Sequence, residues 1–291
     1  MKHIEGELAE APRAAASVVV VRDAPGGLEV FLLRRHTRSN VGAGLFVFPG
    51  GKVDEADAQV DVQAHLDRPP LQLHGALGEP ELSEAEALAL HVAAVRELFE
   101  EAGVLMARDM TPELEAQAAA LAAEKLEFNE TLARLGIRLD THGLVPWTRW
   151  VTPKATMNMN RRFDTRFFVA RMPPGGNARH ADHESTESVW IKPRAAIERY
   201  WRGEMALIPP QIMTMAHLAR YANADEALAH GRSRPPPTIR PEHFDLDGVR
   251  VICYPGDERH SVRERAMPGP TRLMVRNERH EPADGFEALF S

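Results

Sequence analysis

The 291-residue sequence has a single cysteine, Cys253, so no internal disulfide can form, which suits a reducing compartment. Cys253 reads as a buried thiol rather than a nucleophile. Long apolar runs are missing too. None approaches the roughly 18 residues a membrane-spanning helix needs, so no membrane partner is expected. The opening residues, MKHIEGELAEAPR, are charged and lack the apolar segment of a signal peptide. The closing Leu289-Phe290-Ser291 is not a peroxisomal signal. The expected localisation is therefore cytoplasmic. There is no excess of positive charge: 35 Lys and Arg against 42 Asp and Glu give a formal net charge of −7. That disfavours broad contact with nucleic acid or an anionic membrane, while leaving room for a local basic pocket. Internal repeats are absent. What remains, 44% hydrophobic and 26% charged, is ordinary globular composition with enough chain for one large or two small domains.

The most informative stretch runs from Arg96 to Val104, R-E-L-F-E-E-A-G-V. Glu97, Glu100 and Glu101 stand at i, i+3 and i+4 and share one face of a helix. At about 100° per residue, Glu100 and Glu101 fall roughly 60° and 40° either side of Glu97. Val95, Leu98 and Ala102 can face a core meanwhile. Gly103 is a helix stop, since glycine takes the left-handed C′ conformation without penalty. Three carboxylates in a last turn repel each other and oppose the helix dipole. Only Arg96, four residues before Glu100, compensates locally. A hard divalent cation would resolve the conflict, because Mg²⁺ takes oxygen ligands and completes its shell with water and substrate phosphates. The plain alternative is a solvated acidic face.

Upstream, Phe48-Pro49-Gly50-Gly51 follows an apolar run and ends in two glycines, where backbone can approach a ligand closely. Together these segments resemble the Nudix hydrolase box, in which a glycine and a glutamate precede R-E-apolar-x-E-E-x-G-apolar. The right half matches at every fixed position from Arg96 to Val104. On the left, Gly51 matches, but Asp57 stands where the family has Glu. An uninterrupted box would place its arginine at position 65; here it lies 31 residues further on. Such an interrupted box resembles the acyl-CoA diphosphatase branch (Nudix motif 19). Trp150-Val-Thr-Pro153 leading to Arg161–Phe168 resembles that branch as well, and the likeness covers roughly residues 14 to 222. It implies an α/β (α+β) fold: an α/β/α sandwich around a mixed sheet, with an insertion in the box and extra C-terminal helices.

The chain in order fits such a layered fold. Residues 1–13 read as a loose arm. Ala14–Val21 and Leu28–Arg35 read as a hairpin around Pro25-Gly-Gly27. Leu45–Phe48 is a short strand delivering the two glycines. Residues 52–82, which hold the insertion at about 58–82, read as mostly loop with one short helix: a substrate-selecting lid, an oligomer contact such as a homodimer would use, or a neutral excursion. Ser83 and Glu86 form a capping box that opens a helix over 84–102. Thr111-Pro112 opens a second helix, to about Phe128, and a shorter one follows to Gly136. Residues 144–152, 162–170 and 187–191 read as strands, and 193–201 and 209–222 as helices. Residues 223–291 carry two weak strands, 249–254 and 272–275, and form a C-terminal extension that can pack on the same domain.

The resemblance also implies chemistry. Cleaving a diphosphate requires divalent ions, Mg²⁺ or Mn²⁺, to neutralise its charge and activate water. Carried over by position, the metal ligands are Glu97, Glu100, Glu101 and the carbonyl of Gly50. Arg96 orients the carboxylates, and Gly51, Asp57 and Gly103 support the box. Glu97 or Glu100 can orient water, and Glu184 or Glu187 can serve as a base from a loop. The substrate implied is CoA or acyl-CoA, with ADP-ribose, NADH and dinucleotides as the alternatives, or a nucleotide bound by a non-catalytic sensor. Arg35, Arg161, Arg162 and Arg166 are candidates for its phosphates. The CoA-cleaving motif before the box is matched by Leu32, Arg35, Gly44 and Phe48–Gly51, and departs at Leu33, His36 and Asn40. His180, Asp182 and His183 read as a polar loop more readily than as a zinc site.

Overall fold

The computed structural model describes residues 11–36, 44–154, 161–176, 178–179, 185–277 and 279–291. The Glu184, His180, Asp182 and His183 readings lie outside them, as do residues 1–10 of the N-terminal arm.

The hairpin forms as the turn glycines require. Strand β1 (Arg13–Ala24) and β2 (Gly27–Arg35) pair antiparallel with Val21 opposite Val30. Strand β1 starts within the expected arm, because Arg13 already pairs with Phe163. Val18 to Val21 are all 0% exposed. That continuous burial is the mark of a strand covered on both faces. Alternation then sends Val18 and Val20 into one core and Val19 and Val21 into another. Two more segments follow: β3 (Phe46–Val47) and β4 (Gly50–Lys52). The latter holds the two glycines delivered by the Leu45–Phe48 segment: Gly50 and Gly51 pair with Ser17 and Ala16 of β1.

Residues 52–82 are not mostly loop. A 3₁₀ turn (Glu55–Gln59), helix α1 (Val62–His65) and helix α2 (Pro70–Leu77) occupy them. Pro70 stands in the first turn of α2 and Gly78 closes it with a left-handed φ of 65°, so the two residues are its start and stop signals. Leu66, Leu73 and Leu77 are buried in the first core, which makes the segment part of the fold rather than an excursion.

Helix α3 (Glu84–Ala102) is capped as expected, with the Ser83 hydroxyl accepting from the Glu86 N–H and the Glu86 carboxylate accepting from the Ser83 N–H. Helix α4 (Pro112–Ala123) ends before Phe128, because Lys125 turns the chain with a φ of 62°. Phe128 instead opens α5 (Phe128–Leu135). Then come β5 (Val145–Val151), β6 (Phe163–Arg171), β7 (Ser185–Ile191), α6 (Pro193–Trp201) and α7 (Pro209–Leu218), the last shorter than the expected 209–222.

The C-terminal part holds more strands than helices. Helix α8 (Ala224–Arg232) and strand β8 (Thr238–Ile239) precede β9 (Glu242–Leu246), β10 (Val249–Cys253), β11 (Arg272–Arg276) and β12 (Arg279–Glu281), with a 3₁₀ turn at Phe286–Phe290. The expected C-terminal helices are α6 and α7, joined by α8.

The main sheet runs β3-β2-β1-β6-β5-β8, with β4 beside β1 and β7 beside β2; β1–β6 and β5–β8 are parallel, the other pairs antiparallel. One face meets α2 and α3, the other α6, α7 and α8. A four-stranded antiparallel sheet, β12-β11-β10-β9, lends Ile252 and Leu273 to the second core. Cys253 is buried, and burial pushes its thiol up to about 11, so it stays protonated at neutral pH. Among the described residues no helix is long and apolar enough to cross a membrane.

Candidate active site

The site is built where the last turn of α3 meets β4. Val95, Leu98 and Ala102 lie at 0% exposure in the first core, which fixes the helix roll. The acidic face then points at the glycines. Gly103 ends the helix with a φ of 68°, its N–H donating to the Phe99 carbonyl at 2.9 Å.

The interrupted halves of the box are tied together by charge. The Arg96 guanidinium donates from Nε to Asp57 Oδ1 at 2.8 Å and from Nη2 to Asp57 Oδ2 at 3.0 Å. Asp57 is 1% exposed and also accepts from the Asp54 N–H at 2.8 Å. It is therefore a bidentate partner of Arg96 rather than a group open to a cation. The same guanidinium donates to Glu97 at 2.9 Å, to Glu100 at 3.1 Å and to the Lys52 carbonyl at 3.0 Å. Burial alone would lower the Arg96 pKa. The hydrogen bond to Asp57 and the charges of Glu97, Asp57 and Glu100 outweigh it and raise the pKa, so the cation is permanent.

Glu101 joins the glycine side. The Gly50 N–H donates to Glu101 Oε2 at 2.9 Å, which satisfies a carboxylate that is only 7% exposed. Pro49 is anchored in turn, since its carbonyl accepts from the Ser17 hydroxyl at 3.0 Å and the Val18 N–H at 2.8 Å. Gly50 carries a φ of 154° with β1 backbone against it, and Gly51 lies against Glu97, so a side chain would collide with β1 at the first and with the site at the second.

A cleft of about 420 Å³ opens beside the three glutamates. Glu97, Glu100 and Glu101 line one side, and Lys125, Phe128 and Thr131 of the α4–α5 corner line the other. Lys125 escaped the sequence reading because only its left-handed turn brings it to the cleft. Among the described residues no three His, Cys, Asp or Glu side chains converge into a ready-made metal cage. The donor set still suits Mg²⁺ or Mn²⁺: it is all hard oxygen, and Mg²⁺ is commonly held by one or two carboxylates with water and phosphate completing the shell.

The other predicted residues lie apart from this cluster. Arg166 is 4% exposed, and its Nε and Nη2 are taken by Glu79 at 3.0 and 2.5 Å, with Nη1 on the Asp164 carbonyl at 3.1 Å. It ties α2's C-terminal flank to β6, which removes it from the phosphate-binding candidates. Arg162 donates to the Thr152 carbonyl at 3.1 Å, and Arg161 is exposed just before β6. Glu187 sits on β7 opposite Arg34, with which it makes a 3.3 Å ion pair. Arg35 ends β2, its backbone paired with Leu45 and Gly44.

An α/β/α sandwich with this interrupted box at the C-terminal end of its helix defines a Nudix hydrolase. The chain belongs to the NUDT19 Nudix domain family, whose model matches residues 8–218. It is 30% identical over 277 residues to the acyl-coenzyme A diphosphatase NUDT19 of Homo sapiens, covering 80% of this chain and 72% of that protein. The Gallus gallus acyl-coenzyme A diphosphatase NUDT19 is 28% identical over 265 residues, covering 74% of this chain and 70% of that protein. The crystal structure of a NUDIX hydrolase from Alicyclobacillus acidocaldarius shares 29% identity with a TM-score of 0.59, covering 76% of this chain and 97% of that one.

Proposed function

We propose that this Nudix hydrolase cleaves the diphosphate linkage of CoA or acyl-CoA with Mg²⁺ or Mn²⁺, releasing 3′,5′-ADP and (acyl-)phosphopantetheine. The observation that carries the reading is the set of three glutamates at the mouth of the cleft, two of them gathered by Arg96 and the third by Gly50. The names borne by the human and chicken relatives support the substrate class.

Glu97, Glu100, Glu101 and the Gly50 carbonyl would hold the cation. When bound, it neutralises the diphosphate and makes phosphorus more open to attack. Arg96 keeps Glu97 and Glu100 oriented, and its pairing with Asp57 stops it from collapsing onto a substrate phosphate. Glu100, whose side chain is 47% exposed, is best placed to orient the attacking water. Glu187 is the second choice as base, since Arg34 shares its carboxylate. Lys125 supplies an ammonium across the cleft for the diphosphate, and Arg35, Arg161 and Arg162 are further candidates to meet the remaining phosphates.

The test is product analysis by mass spectrometry after incubation with either metal and CoA, acetyl-CoA, ADP-ribose, NADH or a diadenosine polyphosphate. 3′,5′-ADP from CoA, with little AMP from the rest, is the expected outcome. AMP chiefly from ADP-ribose or NADH would keep the hydrolase and discard its CoA preference, in line with the departures at Leu33, His36 and Asn40. Glu100→Gln and Glu101→Gln should each lower turnover at least ~100-fold with an unchanged circular dichroism spectrum. Near-wild-type rates in both would sink the metal-ligand assignment.

A further inference from the structure

A second cavity lies away from the box. It measures about 750 Å³ and opens on the layer of α7 and α8, and no box residue lines it. Arg220, Arg234 and Arg265 converge on it from three separate segments, together with His217, Tyr221 and His230. Among the described residues no Asp or Glu side chain lines it.

Arg234 makes the case. Its guanidinium donates from Nε to His230 Nε2 at 2.8 Å, from Nη2 to the Trp147 carbonyl at 3.3 Å and from Nη1 to the Pro235 carbonyl at 3.4 Å. It also lies over the Trp147 ring at 5.2 Å. Every one of these partners is neutral. Burial lowers its pKa, and among the described residues only Tyr221 pulls the other way. Arg234 is half-buried, and a charge drawn out of water is ordinarily paired, because desolvation penalises it.

Arg220 and Arg265 are more exposed than Arg234 and are held by main-chain oxygens, Arg220 in part by that of the last residue, Ser291. Arg220 donates to the main-chain oxygens of Phe290 at 3.2 Å and Ser291 at 2.9 Å. Arg265 donates to the carbonyls of Met267 and Gly269. Each guanidinium has five N–H donors, more than these bonds consume. The imidazoles add no charge: burial first, then Arg234 and the other cations nearby, push His217 down to about 3. His230 is neutral for a second reason, since its Nε2 accepts from Arg234.

From this geometry we infer that the cavity is a second anion site, separate from the hydrolytic cleft, which takes the phosphoryl group of a small phosphorylated molecule. A phosphoryl group matches several convergent guanidiniums, since Arg binds it by a bidentate fork. The cavity's volume falls in the range of small-molecule sites. Its concave form and the net charge of −7 argue against an extended nucleic acid.

The test is calorimetric titration of the full chain, stripped of divalent metal, with inorganic phosphate and separately with a nucleoside monophosphate in a zwitterionic buffer. Removing metal silences the glutamate cleft, so this site is read independently of the proposed hydrolysis. Saturable binding of at least one probe, with one site per chain, is expected. Arg234→Gln and Arg265→Gln should each weaken it about tenfold or more, while Glu100→Gln leaves it unchanged. Arg265 lies on a different segment from Arg234, so it serves where the Arg234 variant folds poorly. Phosphate binding alone would assign the site to the bare ion, and binding of the nucleotide only would add an organic moiety to what it recognises. No saturable binding of either probe, or binding that both arginine variants retain, would overturn the inference.

Discussion

A methyl group added at Gly50 and one added at Gly51 would meet different obstacles. At Gly51 it would lie 2.5 to 2.6 Å from the Glu97 carboxylate, the far end of a flexible side chain. At Gly50 it would strike the backbone of β1, 2.6 Å from Ser17 Cα, with a φ of 154° that L residues rarely adopt. Gly51→Ala should therefore keep its melting temperature and lose catalytic efficiency as Glu97 is pushed aside. Gly50→Ala should lose about 1–3 kcal/mol of stability in urea unfolding. Equal stability losses in the two variants would show that the clash at Gly51 is not borne by Glu97. At this scale much of the site is legible in the sequence, because helical spacing alone brings Glu97, Glu100 and Glu101 to one face. Partnership is less legible. Arg166 looks like any other arginine until Glu79, 87 residues earlier, is seen to fill its fork. Lys125 carries no signal, since a left-handed lysine is a product of the α4–α5 junction.

The insertion shows the same limits among elements. Pro69-Pro70 and Gly78 are punctuation, and punctuation marks a helix start as readily as a loop. Asp247-Gly248, with φ values of 50° and 79°, is a comparable case: a tight hairpin signal that gives β9 and β10 although β9 itself is weakly patterned. What pins the insertion in place is testable at Asp67. This residue, between α1 and α2, accepts from the Thr141 hydroxyl at 2.5 Å and N–H at 3.0 Å, and from Arg108 at 2.9 Å. Burial would raise its pKa. The Thr141 hydroxyl, Arg108 and the N–H groups of His142 and Thr141 outweigh that and hold it at about 2, below the ordinary 3.8. A depressed carboxyl stabilises the fold above its unfolded pKa and ceases to do so as pH falls through the folded one. The contribution, about 2 kcal/mol, is thus complete above about pH 4 and gone by about pH 2. Asp67→Asn should be less stable than the parent by that amount at neutral pH, with the two urea midpoints converging over this acid window. A gap that stays constant with pH would take the Asp67 charge out of the account.

For the whole molecule, the second core decides how much chain the hydrolase needs. Ile239, Ile252, Tyr254, Leu273 and Leu289 all lie beyond residue 222 and are buried with Val19, Val21 and Trp147. A chain ended at residue 222 should expose those partners, bind a hydrophobic dye and elute as aggregate. A monodisperse truncated protein with the parent's activity would show that the extension is dispensable. The sequence made the sandwich visible through its strands and helices. Of the C-terminal sheet it showed β10 and β11, expected at 249–254 and 272–275, and not β9 and β12, since short strands of mixed polarity resemble loop. The central position of β1 has a consequence in time. Its valines leave the ribosome early, but the nine-residue parallel pairing with β6 must wait until Arg171, 150 residues after Val21. At ordinary synthesis rates that is roughly 8–30 s with an apolar strand edge uncovered. During that interval the nascent chain depends on the β2 hairpin, or on a chaperone, to keep the strand from pairing with a neighbour's.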